Sequence, residues 1–566
     1  MSSFKKCTGV FVVVLVLLLP YRVFAQSIPV GNLLDEQAVL QTLLSDSITV
    51  GTVNRPFSAA VYHTLLGNTD QDQSKWWNRN LLTSQFSLGN DVNVGLLPTF
   101  VQNTVNSKIP YGENNQAAWY GRGSNIELKG GFYVTSKFLT VNFNPHIIYQ
   151  ENLDFRNPRF IFRDENGDIR YVAEGIQAQL DAPFRFGPDP FTTVDPGNSS
   201  FRLHYKKFET GISTEPLWWG PAVRYPLVFS NNAAGIPHFF FKSRQPVDIP
   251  YFGDLQFRWI LGYPQESKYY DGKGEGNTRF TNSVNVAYRP FFFKNLTIGI
   301  TRVYHLYEEG GFSFSNVGII FNPLSSSTLR RTDGGNDVRQ VRNQTASIYL
   351  HLSIPEANAE IYGELYREDH SYNTRDFINE PHHNGAYLFG FQKLSYFPWV
   401  DFIKTNLEFT NLTVSQLEQV RFQTNIYTHS QIRQGHTNKG QILGAAIGPG
   451  SNSQYLSIDA YKDDYKFGIF AQRWVDNDNF HFQKGSADLA PSDQFGDYFR
   501  HRVNLNFGLN LLYGPGPFYL NGKFMWTKAF NYGRFDYGEF EGVTVRNYEH
   551  KDLINIQYQI GITYIF

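Results

Sequence analysis

Acidic side chains gather between Glu364 and His370, and this stretch has the residue types of an acid–base site. Two carboxylates at a suitable separation, drawn from Glu364, Glu368 and Asp369, would serve a glycosidase. Arg367 lies between them and supports a structural alternative, an inward-facing ladder of charges that stiffens a β-barrel wall. No arrangement of Ser, His and Asp stands out as a nucleophile with its base. We therefore predict that the protein is not an enzyme.

Two other groups have metal-binding residue types. His382 and His383 are adjacent, so on a strand they would point to opposite faces and could not share an ion. Asp476 to Asn479 alternates oxygen-bearing side chains as a calcium loop does, but it lacks the Gly and the terminal Glu of an EF-hand. A polar turn is the interpretation that we prefer. Cys7 is the single cysteine, and we predict neither a metal site nor a cofactor.

A tryptophan pair beside two asparagines offers the chemistry of sugar binding. Aromatic faces cover the C–H surfaces of pyranose rings, and planar amides pair with their hydroxyl groups. Trp218, Trp219, Asn231 and Asn232 are therefore candidate polysaccharide-binding residues. The alternative is structural, with the indoles in an aromatic girdle and the asparagines shaping a turn. A second candidate is a basic stretch that would suit an acidic polymer: Arg330, Arg331, Arg339 and Arg342.

The elements that must position these residues begin with a secretory signal. Lys5 and Lys6 precede an apolar run from Val10 to Leu19, and Ala25 ends a small-residue cleavage site. The run is too short to span a bilayer as a helix, which takes about 20 residues. We predict that residues 1–25 are a signal peptide. The formal net charge of -1 lacks the basic excess of a nucleic-acid-binding protein.

The remaining chain has the pattern of a membrane β-barrel. Aromatic residues make up 16% of the sequence, as expected for girdles at two membrane interfaces. From Ile554 to Phe566 large apolar residues alternate with Asn, Gln, Gly and Thr, which places them on one face of a strand. Val503 to Tyr513 repeats the pattern. The fold class that this predicts is all-β, a transmembrane antiparallel barrel of about eighteen strands.

The N-terminal part differs from the rest. Apolar residues between Gly31 and Asp46 recur at helical spacing, and a second helical stretch covers Ser58 to Leu66. We therefore divide the chain into a signal peptide (1–25), a partly helical periplasmic element (26–83) and an outer-membrane barrel (84–566). Long polar stretches between strands, such as 325–343 and 476–498, are expected outside the cell, since barrels have longer external loops.

Three blocks of sequence together resemble the capsule assembly protein Wzi family. The first holds the segment EPLWWGP, the second runs from residue 360 to 393, and the third runs from residue 408 to 451. A strand ending at Phe566 extends the resemblance to the C-terminus, whereas His436 replaces an aromatic residue that is usual in the family. The motif positions are Glu215, Gly220, Pro221, Ser230, Pro237, Glu364, Arg367, Asp369, His383, Tyr427, His429, Thr437, Gly440, Gly444, Gly448, Pro449 and Gly450.

The resemblance implies a monomeric, occluded barrel in the outer membrane of a Gram-negative bacterium. It implies lectin-like binding and retention of capsular polysaccharide or exopolysaccharide at the cell surface, which assists capsule assembly. A porin or polysaccharide-conducting channel is the alternative. Expected partners are that polysaccharide, outer-membrane lipids and lipopolysaccharide, and the barrel assembly machinery during biogenesis, with no nucleic acid.

Overall fold

The computed structural model describes most of the chain downstream of the predicted signal peptide. The described residues are 27–44, 50–66, 72–82, 86–88, 92–156, 160–163, 169–172, 179–270, 278–308, 314–321, 332–333, 336–337, 342–368, 374–414, 423–479, 502–532, 537–540, 543–546 and 552–566. The predicted signal peptide, Arg330, Arg331, Arg339, Asp369 and His370 lie outside these ranges.

Eighteen antiparallel strands form a closed barrel, the number predicted from the sequence. Each strand pairs with its neighbours along the chain, and the last strand pairs with the first through Thr99 and Tyr564. In chain order the strands are β1 (Val92–Asn106), β2 (Gly123–Ser136), β3 (Leu139–Phe143 and His146–Gln150), β4 (Phe191–Asp195 and Ser200–Tyr205), β5 (Phe208–Ser213), β6 (His238–Ser243 and Val247–Ile249), β7 (Gly253–Gly262), β8 (Arg279–Pro290), β9 (Leu296–Tyr307), β10 (Arg342–Ile354), β11 (Ala359–Glu368), β12 (Gly385–Phe397), β13 (Val400–Asn411), β14 (Asn452–Lys462), β15 (Tyr465–Asp476), β16 (Arg502–Tyr513), β17 (Phe518–Phe530) and β18 (Leu553–Tyr564).

The alternation of side chains explains why these residues form a barrel wall. In β18 the side chain of Ile560 is 68% exposed, whereas that of Asn555 on the opposite face is fully buried. The same pattern recurs in β16, where Leu509 points outward and Asn506 points inward. An outer surface of exposed Ile, Leu and Phe is stable only in an apolar surrounding, because exposed apolar area in water costs about 25 cal/mol per Å².

The two ends of the barrel differ in the length of their connections. At one end, eight turns of two to five residues join consecutive strands, as at 463–464 between β14 and β15. At the other end the connections run to 16–40 residues, as at 107–122 and 412–451. We call these the short-turn end and the long-connection end. The functional side chains described below come mainly from the long connections.

The N-terminal part closes the short-turn end of the lumen. Helices α1 (Leu33–Leu44) and α2 (Ala59–Leu66) lie within the two stretches that were predicted to be helical. The Asn32 side chain accepts the Asp35 amide at 2.9 Å and caps α1. Their apolar faces pack with Trp76 and Trp77 against inward-facing wall residues near the short turns: Leu394, Phe402, Tyr461, Leu512 and Tyr519. The periplasmic location of this element stays a prediction.

Shorter elements complete the described structure. Helical turns cover Phe314–Val317 and Thr374–Asn379, and 3-10 turns cover Val50–Val53, Gly318–Phe321 and Pro355–Ala357. Small strand pairs join Asn54–Arg55 to Trp218–Trp219, Phe160–Arg163 to Ile169–Val172, Thr332–Asp333 to Asn336–Asp337, Thr437–Asn438 to Gln441–Ile442 and Tyr537–Phe540 to Val543–Arg546, while Phe86–Leu88 pairs with β1. Within the described residues, no helix combines the length and apolar character that crossing a membrane requires.

Candidate functional site

Two long connections fold back into the barrel and fill its interior. We call residues 214–237 the first inserted segment and residues 423–451 the second inserted segment. Their buried apolar residues form one cluster with inward-facing wall side chains such as Ile260, Val303 and Leu388. An eighteen-stranded barrel would otherwise enclose an aqueous channel. The described structure therefore has a packed core where a porin has its pore.

A carboxylate on the wall holds the first inserted segment. Glu408 of β13 accepts the backbone amides of Val223 at 2.9 Å, Arg224 at 3.1 Å and Tyr225 at 2.8 Å. The hydroxyl of Tyr362 on β11 donates to the same carboxylate at 2.8 Å. Glu408 is buried, so these donors replace the water that an ionised carboxylate needs.

Two more carboxylates act in the same way from β11. Glu364 accepts the Leu227 amide at 3.2 Å. Glu368 accepts the Tyr427 amide of the second inserted segment at 2.8 Å and the Tyr366 hydroxyl at 2.6 Å. We call Glu364, Glu368 and Glu408 the wall glutamates. Glu364 and Glu368, whose sequence also suggested acid–base chemistry, thus bind the backbone of the inserted segments.

Arg367 is not part of an inward ladder of charges, and this part of the sequence interpretation is wrong. Glu364, Tyr366 and Glu368 are buried on the lumen face of β11, while Arg367 lies on the opposite face. Its guanidinium lies 5.3 Å from the ring of Phe377 and donates to the Pro381 carbonyl. The reason is the two-residue period of a strand, which separates neighbours onto opposite faces.

The two inserted segments are bonded directly to each other. Tyr427 donates its hydroxyl to the Leu227 carbonyl at 2.6 Å and accepts the Ala445 amide at 2.9 Å. The Ser230 hydroxyl donates to the Gly444 carbonyl at 2.6 Å. A Cβ added at Gly444 would lie 2.4 Å from the Tyr427 hydroxyl, so only glycine fits this crossing point.

His436 lies at the centre of this packing and is neutral. One ring nitrogen, Nε2, lies 2.6 Å from the Val228 carbonyl, and Nδ1 lies 2.8 Å from Nε2 of His305 on β9. Burial lowers the pKa of His436 to about 4. The rings of Phe229 and Tyr427 pack at 5.3 and 5.5 Å from the imidazole. A neutral imidazole thus occupies the position at which the resemblance predicts an aromatic ring.

The motif positions concentrate in these segments. Thirteen of the seventeen lie in the two inserted segments: Glu215, Gly220, Pro221, Ser230, Pro237, Tyr427, His429, Thr437, Gly440, Gly444, Gly448, Pro449 and Gly450. His382 is exposed and His383 is buried beside Glu380, with Nδ1 3.2 Å from the carboxylate. Packing inside the barrel therefore gives most of the motif positions a structural role.

The predicted tryptophan pair is buried in the lumen. The indole of Trp218 donates to the Ala222 carbonyl at 2.9 Å, and the guanidinium of Arg55 stacks 4.6 Å from its ring centre. Trp219 is fully buried and packs edge-on against Phe229 at 4.9 Å. This placement favours the structural alternative raised from the sequence, although the rings lie inside the wall and not in a membrane girdle. Their contact with polysaccharide stays a prediction.

The other predicted binding residues are separated by the fold. Asn231 is buried, whereas Asn232 lines a cavity at the long-connection end. Arg342 begins β10 and its guanidinium lies 5.8 Å from the ring centre of Tyr304. Arg342 and the asparagines thus belong to different parts of the barrel, and the other three arginines lie outside the described residues.

The cavity beside Asn232 has a volume of about 220 Å³. It lies between the 107–122 connection, the second inserted segment and the ends of β15 and β16. Aromatic and amide side chains dominate its lining: Tyr111, Trp119, Tyr120, Trp474, Asn115, Asn232, Gln441 and Asn504. Aromatic faces and amides of this kind suit the binding of a sugar ring and its hydroxyl groups.

Sequence reasoning found only Asn232 among these residues. Trp474 and Asn504 face each other across β15 and β16, but the connection 477–501 separates them in the chain. Trp119 comes from a third connection. The sequence does contain one signal, the alternation of inward-facing and outward-facing side chains along β15 and β16. It places Trp474 and Asn504 on the lumen face, in the last layer before the long connections.

The chain is similar to known proteins in its sequence family and in its fold. Residues 95–465 match the family model described as "Capsule assembly protein Wzi". No curated protein sequence matches the chain. The solved structure of Wzi, an outer-membrane carbohydrate-binding barrel involved in group 1 capsule assembly in Escherichia coli, aligns with a TM-score of 0.59 at 13% identity over 96% of this chain and 100% of that chain. OccAB2 of Acinetobacter baumannii aligns with a TM-score of 0.38 at 11% identity over 82% and 97% of the two chains.

Proposed function

Because the chain belongs to the capsule assembly protein Wzi family, we propose that it is an outer-membrane, lectin-like protein that binds and retains capsular polysaccharide or exopolysaccharide at the cell surface. The observation that carries the proposal is the filled lumen. The wall glutamates bind both inserted segments, so polymer has no path through the described barrel. The aromatic and amide side chains at the long-connection end offer sugar-binding chemistry.

We also propose an orientation for the protein in the outer membrane. The apolar outer face contacts membrane lipid and lipopolysaccharide, and the short-turn end with α1 and α2 faces the periplasm. The protein acts as a monomer, as the family resemblance implies, and its wall closes through β1 and β18 within one chain. Assembly uses the barrel assembly machinery, which would recognise the strand that ends at Phe566. The protein binds sugar without catalysing a reaction.

A deletion strain tests the retention function. A protein that acts after export should leave total polysaccharide near normal while the share shed into the medium rises. Polysaccharide is measured in washed cells and in supernatant, with the wild-type gene restored as the control. Unchanged cell-bound polymer in the deletion strain would contradict retention, and loss of total polymer would favour an export role such as the channel alternative.

A further inference from the structure

Two residues that line the 220 Å³ cavity, Asn504 and Trp474, carry buried polar atoms without hydrogen-bond partners. Asn504 is 1% exposed, and neither its Oδ1 nor its Nδ2 has a hydrogen-bond partner. The buried Nε1 of Trp474, across the strand pair, has none either. A buried polar group without a partner costs about 1–3 kcal/mol. Because both residues line the cavity, a ligand bound there is a candidate partner for these three atoms.

The next layer of the lumen provides the contrast. Asn506 lies two residues further along β16 and also faces inward. Its Nδ2 donates to Gln472 at 2.8 Å and to the Tyr111 hydroxyl at 3.0 Å. Gln472 in turn donates to the Tyr225 hydroxyl at 2.6 Å. Asn506 is therefore bonded through its Nδ2, although its Oδ1 has no partner, whereas neither polar atom of Asn504 is bonded.

The charges of the lining argue for a neutral ligand group. Arg502 is the charged residue of the lining. Its Nη1 lies 3.0 Å from the Asp476 carboxylate, and its guanidinium stacks 4.5 Å from the ring centre of Tyr532. The positive charge is thus already balanced by the carboxylate. A sugar carboxylate would meet the Asn504 carbonyl oxygen without a spare cation to offset the repulsion.

The polar and apolar groups together match a secondary amide. The unpartnered atoms of these two lining residues are two donors, Trp474 Nε1–H and Asn504 Nδ2–H, and one acceptor, Asn504 Oδ1. An acetamido group has a carbonyl that accepts from both donors and an N–H that donates to the acceptor. Its methyl group suits the apolar part of the lining, which includes Ala118, Ile442 and Ala446. The half-buried indole of Trp119 offers a face for the pyranose ring.

We propose that this cavity is a subsite for a single N-acetylated sugar residue of the retained polymer. Its volume is below the roughly 300–1,000 Å³ of pockets that enclose drug-sized ligands, so it suits one sugar and not an oligosaccharide. The inference rests on the proposed function, since it names the chemical class of the sugar that the barrel recognises.

Binding of defined sugars to the purified full-length barrel tests the proposal. The probes are the methyl glycosides of N-acetylglucosamine and N-acetylgalactosamine, compared with those of glucose and galactose and with glucuronate. The detergent must lack a sugar headgroup. Titration calorimetry measures affinity, and saturation-transfer NMR reports whether the acetamido methyl contacts protein. We expect at least one N-acetyl sugar to bind about tenfold or more tightly than its parent hexose, because the hexose leaves the buried amide unpaired.

Variants of Asn504 locate the site. Asn504→Asp replaces the amide donor by an acceptor that repels the acetamido carbonyl, and Asn504→Leu removes both polar atoms. Both should weaken N-acetyl sugar binding about tenfold or more. The matched control is Asn510→Asp, the same change on the same strand about 20 Å from Asn504. Heat modifiability on gels checks that each variant folds.

Three results would overturn the inference. They are equal binding of hexose and N-acetyl sugar, tighter binding of glucuronate, and undiminished N-acetyl sugar binding by folded Asn504→Asp. Retention in cells separates this inference from the function on which it rests. If the deletion strain sheds polymer but the barrel shows no acetamido preference, the subsite is wrong and the function stands. If the deletion strain retains polymer normally, the function itself is wrong.

Discussion

Removing the Glu408 carboxylate should release the first inserted segment from the barrel wall. Glu408→Ala deletes the acceptor of three backbone amides, those of Val223, Arg224 and Tyr225. These bonds exist only while the segment is docked, because the amides leave the wall when it opens. The substitution therefore acts on the docking equilibrium and leaves the barrel ladder of β13 paired.

The size of the effect follows from the number and type of these bonds. Hydrogen bonds to a charged group contribute about 1.5–3 kcal/mol each, which gives roughly 4.5–9 kcal/mol as an upper range for three. Water that enters the cavity left by the carboxylate satisfies part of this. We take about 3 kcal/mol as the expected loss, which corresponds to three hydrogen bonds of about 1 kcal/mol each. The open population should then rise more than 100-fold, since 1.4 kcal/mol is about tenfold at 25 °C.

Trypsin offers a direct assay, because Arg224 is itself a cleavage site inside the docked segment. When opening is fast relative to cleavage, the rate tracks the open population. We expect cleavage after Arg224, followed by mass spectrometry, to accelerate more than 100-fold in Glu408→Ala. Glu408→Gln keeps one acceptor oxygen and should lie between wild type and Ala.

Thr410→Val on the same strand is the matched control. Thr410 is buried on the lumen face, but its hydroxyl has no hydrogen-bond partner, so this isosteric change should leave cleavage within about threefold of wild type. If folded Glu408→Ala is cut after Arg224 no faster than Thr410→Val, the wall glutamates do not hold the segment and the account of the filled lumen is refuted.

Three other predictions concern the lumen and the outer surface. In planar bilayers the purified protein should show little conductance, and large steady steps would contradict a filled lumen. Acidification from pH 7 should increase conductance, because the pKa of His436 is about 4 when the second inserted segment is docked and 6.5 when the segment is free. Between these two pH values the undocked state binds more protons than the docked state. Docking of the segment therefore weakens as the pH falls from 6.5 to 4 and changes little below pH 4. His436→Phe should flatten that dependence, and an unchanged profile in the variant would exclude His436 as the cause. Changing the four arginines of the basic stretch to Glu should release acidic polymer from cells while the barrel stays heat-modifiable. The residues changed are Arg330, Arg331, Arg339 and Arg342. Normal retention by this variant would exclude the stretch as a binding site.

The barrel could be predicted because its signal is local. A strand with lipid on one side and a polar lumen on the other must alternate, so Ile554 to Tyr564 specifies both its structure and its orientation. Helices α1 and α2 were predicted for the corresponding reason, since their apolar residues recur at helical spacing.

The site was harder to predict because its contacts are made between distant parts of the chain. Trp218 and Trp219 have ligand-binding residue types, but a two-residue pairing with Asn54 and Arg55 carries them into the core. Asn504 resembles every other inward-facing polar residue of β16. Only the assembled barrel shows that it lacks partners at a cavity beside Trp474.

The inserted segments also change the barrel as a mechanical object. The wall of the barrel is a single sheet, and the inserted segments connect strands on different sides of it. A polymer that pulls on the long-connection end would transmit force through the inserted segments to many strands at once. The attachment would therefore survive the loss of any single contact. The lumen contents, including the N-terminal part at Pro56, are bonded to strands spread around the wall: β4 through Arg202, β7 through Arg258, β8 through Arg279, β9 through His305, β11 through Glu364 and Glu368, β13 through Glu408 and β15 through Gln472.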